Sequence, residues 1–169
     1  DRGMAVSSDL GDSLDVHPRN KRPVGERLAR IALHDVYSAT SVVPSGPLPL
    51  SASTVPGGIA IEMEYADGMH PATGDSIIGF EVASSILGPY FPASATISGN
   101  RIILKSMQEP NPTAARYGWQ PFTRANLVNG ALLPASTFRI AAEIANPDEG
   151  IDRGVSGSFA ALLPSGQVM

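Results

Sequence analysis

Apolar and polar positions change their period once along the chain. Over residues 23–37, Val24, Leu28, Ile31 and Ala32 recur at the spacing of one helical face while Arg27 and Arg30 are free to meet water, which predicts an amphipathic surface helix. Pro23 suits the first turn, where a backbone N–H would have no intrahelical acceptor, and Glu26 precedes Arg30 by four residues in the stabilising orientation. From Ile59 the period becomes two. Ile59, Ile61, Met63 and Tyr65 alternate with Ala60, Glu62 and Glu64, the pattern of a strand buried on one face. Residues 77–82 and 114–119 read as further strands, and 95–97 with 101–105 flank Ser98-Gly99-Asn100, a hairpin signal. Met4-Ala5-Val6 reads as the end of a buried strand. Residues 140–145 fit a strand or a helical turn, and 150–169 carry no firm pattern.

Between helix and strands, over 38–58, the composition shifts to Ser, Pro, Gly and small apolar residues. Pro44, Pro47, Pro49 and Pro56 argue against helix and central strand alike, so a semi-extended connector is expected. The chain therefore divides into a strand-loop-helix segment (1–40), a linker (41–57), an antiparallel β unit (58–140) and a weakly defined tail (141–169). Short strands punctuated by turn residues suggest a β-sandwich. The first segment is too short to bury a core by itself and needs completion by something else. The opening Asp1-Arg2-Gly3 has no signal-peptide pattern and reads as the middle of a longer protein.

Composition removes several classes of function. The 169 residues carry a net charge of −4, which offers no general attraction to a phosphate backbone, so no nucleic-acid partner is expected. Without Cys there are no disulfides, thiolate zinc sites, Fe–S clusters or Cys nucleophiles. No apolar run approaches the ~20 residues of a membrane span. The 17 Gly and 15 Pro have no period, which excludes collagen. His17, His34 and His70 fall one to a region without spaced partners, so neither a metal nor a cofactor is expected.

The candidate chemistry lies between Met4 and Asn20. Asp9, Asp12 and Asp15 precede His17, and Pro18 constrains the backbone just after it. A His beside a carboxylate, on a loop between strand and helix, suits a general base: the carboxylate holds one tautomer and stabilises the imidazolium formed when the ring takes a proton. The same spacing also fits a loop His among solvated aspartates. Tyr117 and Trp119 share a strand face, as core residues or as a sugar-stacking platform, with the core favoured; Arg116, opposite, is placed to pair with an acid. Glu62 and Glu64 read as solvent-facing, and the basic residues over 19–30 as a solvated helix face.

The order of motifs resembles the last block of SGNH-type carbohydrate esterases, in the sialate O-acetylesterase-like and acetylxylan esterase group. The carrying residues are Gly3-Met4-Ala5-Val6, Asp9-Leu10-Gly11-Asp12, Asp15-Val16-His17-Pro18-Arg19-Asn20-Lys21 and Val24-Gly25-Glu26-Arg27-Leu28-Ala29. Further along stand Gly79-Phe80-Glu81-Val82, Tyr90-Phe91-Pro92-Ala93, Pro110-Asn111-Pro112, Ala115-Arg116-Tyr117-Gly118-Trp119, Ala125-Asn126-Leu127 and Leu133-Pro134-Ala135-Ser136-Thr137-Phe138-Arg139. The resemblance covers about residues 1–139.

It implies the strand-loop-helix end of an SGNH (flavodoxin-like) α/β hydrolase domain followed by an antiparallel β-sandwich. It also implies a serine esterase that removes acetyl groups from sugars, sialate or xylan. His17 would be the general base and Asp15 its orienting partner. The family pattern puts the acid three residues before the His, which here is Leu14; Asp12 is the alternate carboxylate, and Asp9 is read as structural. Gly11-Asp12-Ser13-Leu14 spells the motif that gives the superfamily its name, but Ser13 lies four residues before His17 on the same loop, where base and oxyanion hole are hard to align. Gly154-Val155-Ser156-Gly157 does not fit a nucleophile elbow either. The nucleophile is therefore expected on a missing N-terminal SGNH portion of the same enzyme, with an acetylated carbohydrate as substrate and a periplasmic or secreted location. The alternative reading is a non-catalytic carbohydrate-binding or scaffolding β-sandwich module.

Overall fold

A computed structural model describes residues 3–15, 17 and 19–142. The expectations for 150–169, for the 143–145 half of 140–145, for Pro18 and for Ser156 lie outside the described residues. Within them the protein is mostly β with one α-helix, and every paired strand is antiparallel.

Helix α1 spans Arg22–Asp35 with Pro23 in its first turn, as its pattern predicts, and closes through Val36 N–H donating to Ala32 O at 3.0 Å. None of its residues is buried, and Leu28 and Leu33 stay 49% and 43% exposed, as does Val36 just beyond its end at 62%. Residues 4–6 are not a buried strand end. They run unpaired, with Met4 exposed, because a strand needs a neighbouring edge and none of the described strands offers one there.

Ten strands follow: β1 Leu48–Val55, β2 Gly58–Glu64, β3 His70–Pro71, β4 Phe80–Ala83, β5 Phe91–Pro92, β6 Ser94–Ser98, β7 Arg101–Lys105, β8 Ala114–Tyr117, β9 Leu127–Val128 and β10 Phe138–Ala141. The strands form two four-stranded sheets, β1-β2-β7-β6 and β10-β8-β4-β5, and a separate small pair, β3-β9. The expected hairpin forms: Ser98 pairs Arg101 across the two-residue turn Gly99-Asn100.

The stretch 41–57, expected to be a connector, contains β1. Of the four prolines only Pro49 lies in β1, and β1 is an edge strand, where a proline is tolerated. The register shifts between Pro49 and Ser51, and Leu50 is left half exposed. Pro56-Gly57 then turns the chain into β2, Pro fixing the first φ and Gly57 taking the left-handed second position at φ +70°. The strand expected from residue 77 begins only at Phe80, because Ile78 N–H is held by the side-chain Oδ1 of Asn126 at 2.9 Å.

Ile59, Ile61, Ile102 and Leu104 from the first sheet and Phe80, Val82, Ala115, Tyr117 and Phe138 from the second occupy one core. Each large aliphatic buried there contributes about 1.5–3 kcal/mol. Ala60 is buried as well, so the start of β2 is covered on both faces. Of its two acids, Glu64 is exposed and Glu62 pairs with Arg101, its register partner on β7.

Asn129, only 2% exposed, ties the region after the helix to the β unit. Its Nδ2 donates to Ser45 O (2.9 Å) and Tyr65 O (3.0 Å), while Oδ1 accepts from Ala131 N–H (3.2 Å) and Leu133 N–H (3.1 Å). All of the amide's bonding capacity is thus used, as a buried polar group requires.

Candidate active site

The loop from Ser7 to Asn20 lies between the unpaired segment and α1, and side-chain-to-backbone bonds shape it. Ser8–Leu10 forms one 3-10 turn. Asp9 then accepts a two-pronged bond from Arg27, Nη1 to Oδ1 at 2.7 Å and Nη2 to Oδ2 at 2.6 Å, and Arg27 Nη1 also reaches Val6 O. This corrects the expectation that Arg27 faces water: its side chain is 12% exposed and fastens the loop to the helix. Paired fork to fork with a carboxylate, a guanidinium fixes direction as well as distance. Asp9 is a structural residue.

Two Asx turns follow. Asp12 Oδ1 accepts Leu14 N–H at 2.9 Å, and Asp15 Oδ1 accepts His17 N–H at 2.8 Å. The same Asp15 oxygen stands 3.2 Å from His17 Nδ1. An Nδ1–H donated to that carboxylate leaves Nε2 as the basic nitrogen, and the imidazole, 84% exposed, is open to an incoming group. Of the three sequence candidates, the fold therefore brings Asp15 and His17 together, whereas Asp12 is occupied with Leu14. Among the described residues, no hydrogen bond joins Ser13 to His17.

Asp12 and Asp15 also line an open groove of about 440 Å³ whose far wall is the turn after β8, with Gly118, Gln120, Phe122 and Thr123. The sequence pattern misses this wall, because a turn of Gly, Gln and Pro announces only that the strand has ended.

The remaining candidates have local partners. His34 Nδ1 faces Asp35 Oδ1 at 2.7 Å and His70 Nδ1 faces Gly68 O at 2.8 Å. Among the described residues no three His, Asp or Glu side chains gather as a metal ion would require. Tyr117 is no sugar platform: it is buried, 4.5 Å from the Phe80 ring centroid and 5.7 Å from that of Phe138. Its hydroxyl oxygen accepts Leu127 N–H at 2.7 Å, and burial pushes the phenol up to about 12, with that bond pulling the other way. Arg116 pairs with Glu81 at 2.8 Å and lies 4.2 Å from the Tyr90 ring centroid, while Arg139 sits 5.5 Å from the centroid of Trp119.

Neither a family model nor a curated protein matches this chain. Among solved structures it is similar to a carbohydrate acetylesterase from Xanthomonas citri, at 38% identity and a TM-score of 0.72, over 78% of this chain and 30% of that one. The chain thus spans under a third of its neighbour's length. Sequence and fold together relate this chain to a carbohydrate esterase.

Proposed function

We propose that the chain is the C-terminal portion of an SGNH-type serine carbohydrate esterase that hydrolyses O-acetyl esters on sugars of the sialate or xylan type. Residues 1–40 complete its α/β domain, and the β unit is an appended sandwich. His17 is the general base, Asp15 its orienting carboxylate, and the nucleophilic Ser and oxyanion hole belong to the N-terminal portion. The observation that carries this reading is the single oxygen of Asp15 that holds both the backbone and the ring of His17. The uncovered apolar positions of α1 support it as the face that packs on the rest of that domain. An acetylated glycan of this kind is met outside the cytoplasm, so a periplasmic or secreted location belongs to the same reading.

In the reaction, His17 Nε2 takes the proton of the Ser hydroxyl as Oγ adds to the acetyl carbonyl. The tetrahedral intermediate collapses with cleavage of the bond to the sugar oxygen, which receives that proton from the imidazolium and leaves as the free hydroxyl. Water then attacks the acetyl-enzyme, His17 again accepting the proton, and acetate departs with the serine restored. Asp15 holds the tautomer and offsets the imidazolium charge.

In the whole enzyme, His17→Ala lowers p-nitrophenyl acetate kcat/KM by about 10³-fold or more, and Asp15→Asn by about 10²–10⁴-fold. Asp12→Asn leaves a far smaller effect than Asp15→Asn. Turnover that survives His17→Ala contradicts the catalytic reading and leaves the non-catalytic sugar-binding one.

A further inference from the structure

The groove beside the Asp15–His17 pair is walled by two parts of the chain, and the proposed reaction gives a role to only one of them. On one side the Asx-turn loop presents Asp12 and Asp15; on the other the turn after β8 presents Gln120, Phe122 and Thr123. Phe122 lies on the side of the groove nearest Gly11 and is 44% exposed, so its ring stands beside the loop with part of its surface open to an incoming group. The turn is built in advance. Gly118 holds φ +62°, its carbonyl accepts Thr137 Oγ1 at 3.4 Å, and Thr123 Oγ1 accepts Ala125 N–H at 3.1 Å.

An aromatic face beside an amide, hydroxyls and carboxylates matches the chemistry of a pyranose, which offers C–H groups to a ring and hydroxyl donors to oxygens. Charge narrows the class further. Among the described residues the lining holds two carboxylates and no Lys or Arg, and the nearby Arg27 is committed to Asp9. An anionic sugar would meet like charge there, whereas a neutral one donates hydroxyls to the same oxygens.

We propose that this groove is a subsite for a neutral pyranose unit of the acetylated glycan, with Phe122 as its stacking face and Gln120 and Thr123 as hydrogen-bonding partners. The inference rests on the esterase reading and deepens it: the β unit becomes part of substrate selection, and neutral O-acetylated glycosides are preferred over sialosides.

The test uses the whole enzyme with three substrates: an O-acetylated xylo-oligosaccharide, an O-acetylated sialoside and p-nitrophenyl acetate. The wild type is expected to favour the neutral ester over the sialoside by about tenfold or more in kcat/KM. Phe122→Ala should reduce the preference for the xylo-oligosaccharide over p-nitrophenyl acetate about tenfold, through KM, and Phe122→Trp should restore it. A ratio unmoved by Phe122→Ala, a ratio Phe122→Trp fails to restore, or a sialoside turned over as well as the neutral ester overturns the subsite. If His17→Ala abolishes turnover while the Phe122→Ala ratio stays put, only the subsite falls; if His17→Ala leaves turnover intact, the esterase reading falls and takes the subsite with it.

Discussion

Tyr117 joins the second sheet to the segment that follows it through one oxygen. Its ring fills space between Phe80 and Phe138, and its hydroxyl takes the Leu127 N–H. Tyr117→Phe keeps the ring and strands that buried donor, which costs about 1–3 kcal/mol and lowers the thermal midpoint. The same residue fixes an alkaline limit. The phenol is raised by burial from 10.0 to about 12, so the unfolded chain ionises first as pH rises. Its contribution is complete below pH 10 and is lost between pH 10 and about 12. Urea titrations across that range should show a steep loss of stability in the wild type and a shallower one in Tyr117→Phe, with Tyr65 and Tyr90, raised chiefly by burial, leaving a residual slope. Equal slopes in both proteins contradict the assignment.

At the scale of elements, the candidate site depends on how the loop is attached to α1. The Arg27–Asp9 fork and the Arg27–Val6 bond are the fastening, and the Asp15–His17 pair hangs from the loop they hold. Arg27→Ala should cut kcat by about 10²-fold through misplacement of the base, with Arg27→Lys recovering part of it as charge without the fork. Wild-type kcat in Arg27→Ala would show that the loop keeps its shape without the helix. Helix α1 and the Gly99-Asn100 hairpin are legible in the sequence because a first-turn proline, the apolar period and the turn residues are local. Strand β1 is not, since a proline-rich stretch looks alike whether it is all connector or holds an edge strand, and only the partner strand tells them apart. Residues 4–6 are the mirror case: an apolar run becomes a strand only where an edge receives it, and none of the described strands supplies one there. Asp15 and His17, two residues apart, could be paired from sequence; Arg27 and Asp9, on different elements, could not.

Over the whole molecule, buried amides hold distant pieces in register. Asn129 ties Ser45 to Tyr65, and Asn126 holds Thr73 and Ser76 through Nδ2 and Ile78 through Oδ1. An Asn carries no pattern that marks it as such a node, so the sequence reading sees loops where the fold has fixed spans. The groove wall is illegible for the same reason, because Phe122 and Gly11 come to line one groove only once the chain has folded. The most direct test of the central claim is a crystal structure of the whole protein, measured for the distance from His17 Nε2 to the nearest serine Oγ that the proposed N-terminal portion contributes. A separation of about 2.6–3.2 Å, with Nδ1 still on Asp15, is the expected result. An imidazole turned away from any cleft, or one with no such hydroxyl within reach, contradicts it.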